Sequence, residues 1–183
     1  KGPGAELELA LYANGLWATT DAELKESLGK GVLDIEFDKK GGLVVATTPE
    51  GAQPLKDFAA TQRGAGVVAH DVSLAEALKL EPKLNPEITA AIHYPQDAQV
   101  QPAIASEALL ADARLHGAEV RQGAKVTAGI HSTDGQLIGV RTAAGDFYAD
   151  AVLLAAGPFS AQVAELLGVN LPVRPRRGNL LVT

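Results

Sequence analysis

The stretch Ala149-Asp150-Ala151-Val152-Leu153-Leu154-Ala155-Ala156-Gly157-Pro158 decides the fold. Its centre, Ala151 to Ala155, carries no charge and no polar–apolar alternation, the pattern of a strand covered on both faces. Ala155, Ala156 and Gly157 then end that strand with the smallest side chains, where a ligand or another backbone must come close. Phe159 and Ser160 open a short helix, read to Leu167 and closed by Gly168, whose free N–H groups favour negative charge.

Working back from this point, strands are read at Lys125 to His131 and Leu137 to Thr142, with Asp134-Gly135 turning the chain between them and Gly145-Asp146 turning it again. Ala118 to Arg121 is a further short extended piece. Before it, a crossover helix runs from Pro102 to about His116, with Ile104, Leu109, Leu110 and Ala113 on its buried side and Gly117 just past its end. The first hundred residues read differently. A helix from Ala5 to Ser27, interrupted around Thr19-Thr20-Asp21, precedes a hairpin in which Leu33, Ile35 and Phe37 alternate with acids and pair with Gly42 to Thr47. Thr48 and Pro49 start a helix ending near Gly64. Ser73-x-x-Glu76 is a capping box for Leu74 to Leu80, Pro82 stops that helix, and Ile88 to Tyr94 is a strand. Past Gly168, Val173 to Thr183 is extended.

Composition bounds the class. The chain has 183 residues, one domain or two small lobes, with 46% apolar and 21% charged residues. Its 19 glycines and 10 prolines make about 16% of the chain, below the ~25–30% of disordered low-complexity sequence. A formal charge of -6 gives no cationic field for nucleic acid, and 4% aromatics offers few stacking platforms. The absence of cysteine excludes disulfide scaffolds, Fe–S clusters, cysteine zinc sites and a cysteine nucleophile, and is compatible with a cytoplasmic protein. No apolar run approaches the ~18 residues of a transmembrane segment. No methionine stands at position 1, so the chain reads as a piece of something longer.

Gly64-Ala65-Gly66-Val67-Val68-Ala69 has dinucleotide-fingerprint spacing, but that motif requires a preceding strand and a helix opening at its glycines. Here it follows a helix and leads into a strand, so it reads as a helix end, and a nicotinamide-dependent reading needs a helix beginning at Gly66. His70, His93, His116 and His131 have no i,i+4 pairing, so no metal site is assigned. Tyr94 stands before the polar loop Pro95-Gln96-Asp97-Ala98, where it either caps the sheet edge or lines a site.

The order of these segments resembles the middle of the FAD-dependent amine and amino-acid oxidoreductases, the superfamily of glycine oxidase, sarcosine oxidase and D-amino-acid oxidase or dehydrogenase. The matching pieces are Gly41-Gly42-Leu43-Val44-Val45-Ala46, Leu80-Glu81-Pro82 with Leu84, Tyr94 to Pro102, and Gly117-Ala118-Glu119-Val120. They continue through Lys125-Val126-Thr127, Gly139-Val140-Arg141-Thr142, Asp150 to Gly157 with Phe159 and Ser160, Leu171 to Pro175, and Arg177-Gly178. This collinear order spans nearly the whole chain.

The resemblance implies an α+β / α/β fold, a mixed-sheet substrate-binding lobe plus part of an FAD-binding Rossmann-like lobe. Residues 1–98 would belong to the substrate lobe, 99–172 to the FAD lobe, and 173–183 to a strand returning to the substrate lobe. It implies FAD as cofactor, with the Val126 backbone at the adenine end and Ala155, Ala156, Gly157, Pro158, Phe159 and Ser160 running close to the flavin. Tyr94 is the substrate-side candidate, and no catalytic residue is assigned. The implied chemistry is oxidation of the C–N bond of a small amine or amino acid: hydride passes to the flavin and the imine hydrolyses. The family's N-terminal Gly-x-Gly-x-x-Gly and its later carboxylate-gripping arginine are absent, so the segment alone is expected to be inactive. Gln101 stands where an acidic residue commonly precedes the helix proline, a weaker cap. Arg174, Arg176 and Arg177 read as a solvated face. The rival reading is a non-catalytic α+β ligand-binding or structural module. Oligomeric state stays open.

Overall fold

The computed structural model describes residues 1–178 and divides into two compact units, Lys1–Glu119 and a second beginning at Val120. The division falls beyond the 98/99 boundary expected from sequence. The crossover helix stays with the first unit because it packs on the opening helix rather than on the strands that follow.

In the first unit, α1 (Ala5–Leu28) is one continuous helix. The expected interruption at Thr19-Thr20-Asp21 does not occur; the Asp21 carboxylate accepts from Lys25 Nζ at 2.9 Å, an i,i+4 pair that supports the helix through that point. Strand β1 (Gly42–Ala46) is followed by α2 (Pro49–Gly64), β2 (His70–Val72), α3 (Leu74–Leu80), β3 (Ala90–Tyr94) and α4 (Pro102–Leu115). The strands form an antiparallel sheet in the order β1-β3-β2, with Val44 opposite Ile92 and Asp71 opposite Ile92 on its other side.

The expected hairpin between Leu33–Phe37 and β1 is not formed: residues 33–37 have no regular structure, and β1 pairs with β3 instead. The reason lies in the side chains. Ile35 is only 1% exposed and packs with Leu24, Ala105 and Ala108, with Leu33 and Phe37 against the same cluster, so the alternating residues plug the α1–α4 interface instead of lining a sheet. Leu33 and Glu36 adopt φ of 49° and 53° to turn the chain around that plug.

Caps behave as their chemistry requires. Thr48 accepts from the Gly51 amide, and the Ser73 and Glu76 side chains each accept from the other's backbone N–H. Gln101, expected to be a weak cap, accepts from Ala103 N at 2.8 Å and Ile104 N at 3.3 Å, because its longer amide folds back over the first turn of α4. At the end of α2, Gly66 takes φ +89° and leads to β2, so no helix opens there and the nicotinamide reading loses its structural requirement.

The second unit is a meander of β4 (Val126–His131), β5 (Leu137–Thr142) and β6 (Gly145–Tyr148), antiparallel throughout. Gly145 and Asp146, read as a turn, belong to β6; the turn is one step earlier. Arg141 and Asp146 face each other across β5 and β6, and the guanidinium donates to both carboxylate oxygens at 2.9 and 3.0 Å. This bidentate bond holds the Asp146 carboxyl below its ordinary value. Ala118 to Arg121 forms no strand.

Ala151–Ala155 also forms no strand among the described residues, and it is not covered on both faces. A strand exists only against a partner backbone, and the three-stranded sheet supplies none: Ala149 N donates to Ile138 O, and the chain then leaves the ladder. A 3-10 turn, Gly157–Phe159, and α5 (Ser160–Leu166) follow. Residues 173–178 have no strand, and the remainder of the extended segment read to Thr183 lies outside the described residues.

Candidate functional site

The second unit carries an open cleft of about 920 Å³, lined among others by Val126, Val140, Leu153, Ala155, Ala156 and Phe159. Three local features build it. The β4 strand starts at Val126, so the wall is anchored by the Val126–Thr142 pairing, and Val140 on β5 lies beside it. α5 closes against β4 because residue 129 is glycine: a Cβ there would meet the Leu137 Cδ1 at 3.0 Å and the Leu166 carbonyl oxygen at 3.3 Å. The segment 152–156 supplies the other wall.

That wall is apolar and wet. Leu153 is 91% exposed and Phe159 62%, while Val152 also reaches solvent. Burying a leucine or phenylalanine side chain is worth roughly 1.5–3 kcal/mol, so these residues present a surface that gains free energy when covered. A Cβ built on Gly157, whose φ is +54°, would meet nothing within 4 Å. Gly157 is therefore not explained by packing inside this unit, and the space in front of it is open.

Of the residues expected near the cofactor, Val126, Ala155, Ala156 and Phe159 line this one cleft. Gly157 and Pro158 are exposed outside its lining, and Ser160 is buried at the start of α5. Sequence reading missed Lys125, Val140, Leu153 and Gln162 as lining residues. Val140 had a signal, its place in the strand read from Leu137 to Thr142; Leu153 was masked by the assumption that the apolar run is buried.

Tyr94 sits in the first unit. It is buried, and its hydroxyl donates to the Gln62 Oε1 at 2.6 Å, while Gln62 Nε2 donates to the Lys1 carbonyl at 3.0 Å. Burial, then the Asp97 carboxylate nearby, push the phenol above its ordinary value, which keeps it protonated as a donor. Both groups lie in the floor of a smaller cleft, about 340 Å³, walled by Leu55, Phe58 and Val67. Tyr94→Phe leaves Gln62 Oε1 buried without its donor and is expected to destabilise by about 1–3 kcal/mol. A urea midpoint that does not move would show that water replaces the phenol.

Comparison with known proteins identifies the scaffold. The profile of the family described as FAD dependent oxidoreductase matches residues 1–183. The chain belongs to this family. Glycine oxidase of Geobacillus kaustophilus strain HTA426 is 31% identical over 175 residues, which cover 95% of this chain and 45% of that protein. The hydrogen cyanide synthase subunit HcnC of Pseudomonas aeruginosa is 29% identical over 99% of this chain and 43% of its own length. The crystal structure of glycine oxidase from Geobacillus kaustophilus superposes with a TM-score of 0.84, covering 96% of this chain and 46% of that one. The chain thus spans less than half the length of these relatives. As a member of the FAD-dependent oxidoreductases it has FAD as its cofactor, and the cleft fits such a group. Its volume lies near the upper end of the ~300–1,000 Å³ of ligand pockets, and apolar walls with few polar groups are what such pockets use. No helix among the described residues is long and apolar enough to cross a membrane.

Proposed function

We propose that this oxidoreductase oxidises the C–N bond of a small amine or amino acid, and that the cleft of the second unit is its cofactor side. The observation that carries the cofactor assignment is the exposed apolar wall at Val152, Leu153 and Phe159 facing open space beside Ala155 and Ala156. The substrate class rests on the likeness to glycine oxidase over 95% of the chain.

FAD, when bound, accepts the hydride released from the carbon beside the substrate nitrogen. The residues of this chain serve that chemistry by placement. Ala155 and Ala156 carry only a methyl group each and let a planar ring approach the backbone. Val126 would stand at the adenine end and Phe159 beside the flavin, where their apolar side chains would exclude water, and exclusion of water strengthens every electrostatic contact made there. Tyr94, held as a donor by Gln62, is assigned to the substrate side. No side chain of this chain is assigned as a general base.

The test is the visible absorption spectrum of the full-length protein before and after anaerobic addition of glycine, sarcosine and D-amino acids. Flavin bands that bleach with one of them are expected. Bands that persist with every member would reject this substrate class, and a colourless, folded protein that takes up no FAD would leave a binding module without redox chemistry.

A further inference from the structure

We propose that the first-unit cleft in front of Tyr94 binds a small apolar amine in its protonated form, with the ammonium on the Asp97 carboxylate and the hydrocarbon against Leu55, Phe58 and Val67. The inference goes beyond the proposed reaction and does not depend on where the cofactor lies. At about 340 Å³ the cleft stands at the small end of the ~300–1,000 Å³ of ligand pockets, a size for a small molecule.

The acid is held in place through its backbone, which leaves its side chain free. Asp97 N donates to the Tyr94 carbonyl at 3.2 Å, and the Gly41 amide donates to the Asp97 carbonyl at 2.9 Å. Asn14 Nδ2, from α1, donates to the neighbouring Gln96 carbonyl at 3.2 Å. Gly42 stands opposite Tyr94 in the β1–β3 ladder, and a Cβ there would lie 2.7 Å from the Asp97 Oδ2. The carboxylate therefore occupies the space that a side chain at residue 42 would fill, on the face of the sheet that carries Tyr94.

Charge decides what the cleft accepts. Among the described residues the Asp97 carboxylate makes no hydrogen bond or ion pair, whereas the other charges near it are matched. Lys1, the second charged residue of the lining, bonds to Glu6, and Arg63 bonds to Asp71 at 3.2 Å. The floor adds no competing charge, since the Tyr94 hydroxyl and the Gln62 amide are bonded to each other. One unmatched negative charge beside apolar walls attracts a cation and repels a carboxylate, and low-dielectric walls strengthen both effects.

The experiment uses the full-length protein and measures binding of benzylamine, benzyl alcohol and benzoate by calorimetry at low and at high salt. Benzylamine is expected to bind about five- to tenfold more tightly than benzyl alcohol at low salt, with the difference shrinking at high salt, and benzoate more weakly than either. Asp97→Asn should bring benzylamine down to the level of the alcohol and leave the alcohol unchanged; the side chain is exposed and the backbone bonds remain, so the fold is kept. Gly42→Ala, which keeps the acid but displaces it, should weaken the amine alone. Phe58→Ser, on the wall, should weaken amine and alcohol alike.

Benzoate binding as tightly as benzylamine, or an amine affinity that Asp97→Asn leaves unchanged, would overturn the proposal. So would amine binding that survives intact in both Gly42→Ala and Phe58→Ser. The reacting substrate and a second ligand share this chemistry, and turnover separates the two once binding has been shown to need Asp97. Benzylamine that raises the KM of the oxidised amino acid with kcat unchanged marks the cleft as the substrate's own. An unchanged KM at saturating benzylamine marks an amine other than the reacting one.

Discussion

Gly139→Ala detaches the edge strand β6 from β5. A Cβ at residue 139 would lie 2.3 Å from the Phe147 carbonyl oxygen and 3.1 Å from the Phe147 carbonyl carbon and the Tyr148 Cα. All three are backbone atoms of the paired strand, so no rotamer change relieves the overlap; one strand must move. The cost is expected at or above the upper end of the about 1–3 kcal/mol of ordinary overpacking. The consequence is larger than a local shift, because Gly139 pairs with Tyr148 and the Arg141–Asp146 bridge lies on the same two strands. Hydrogen exchange at the β6 amides, together with the denaturant midpoint, checks it. Gly157→Ala is the contrast: there the new methyl meets nothing, and only the left-handed backbone, at about 1–2 kcal/mol, opposes it. Equal effects at the two positions would show that the β5–β6 pairing is looser than the geometry requires.

Ile92→Ala has the second large effect, in the other unit. Ile92 is 0% exposed at the centre of β3, the middle strand of the sheet, and packs with Ala59, Ala69 and Tyr94. Large-to-small core changes cost about 2–5 kcal/mol, the upper values arising where the surroundings cannot collapse. Two of these neighbours are alanines whose methyl groups are fixed to α2 and the approach to β2, and they have no longer side chain to swing into the void. A loss toward the upper end is therefore expected by chemical denaturation, against a small one for Val44→Ala, since Val44 pairs with Ile92 but is 47% exposed. An Ile92→Ala loss no greater than that of Val44→Ala would place the core elsewhere.

The two variants report on different units, so together they test whether the units unfold as one. If Gly139→Ala lowers a transition that Ile92→Ala leaves unchanged, each unit carries its own cooperative core. A single transition lowered by both would mean that they are coupled in the folded protein.

Local chemistry determined much of this protein without help from the fold. Thr48, Ser73 and Gln101 sit before helices they cap, with Pro49 and Pro102 in the first turns, because a cap needs only its own next three residues. The β3, β4 and β5 strands and the Asp134-Gly135 turn follow from strand and turn propensity over short spans in the same way. The collinear order of small fragments also sufficed to reach the FAD-dependent oxidoreductases, since that order encodes a topology even where each fragment is weak.

Tertiary structure decided what these local signals cannot contain. Leu33, Ile35 and Phe37 alternate like a strand, yet they fill the gap between α1 and α4, because a period of two says which residues are apolar and not which surface receives them. Val152, Leu153 and Leu154 read as a covered strand, yet pairing is a property of two backbones, and the β4–β5–β6 sheet leaves this segment without a partner. The same exposure turns Ala155 and Ala156 from the end of a strand into part of the lining of a cleft that Val126 also lines. Those residues are separated by about thirty positions in sequence, and only folding brings them to one site.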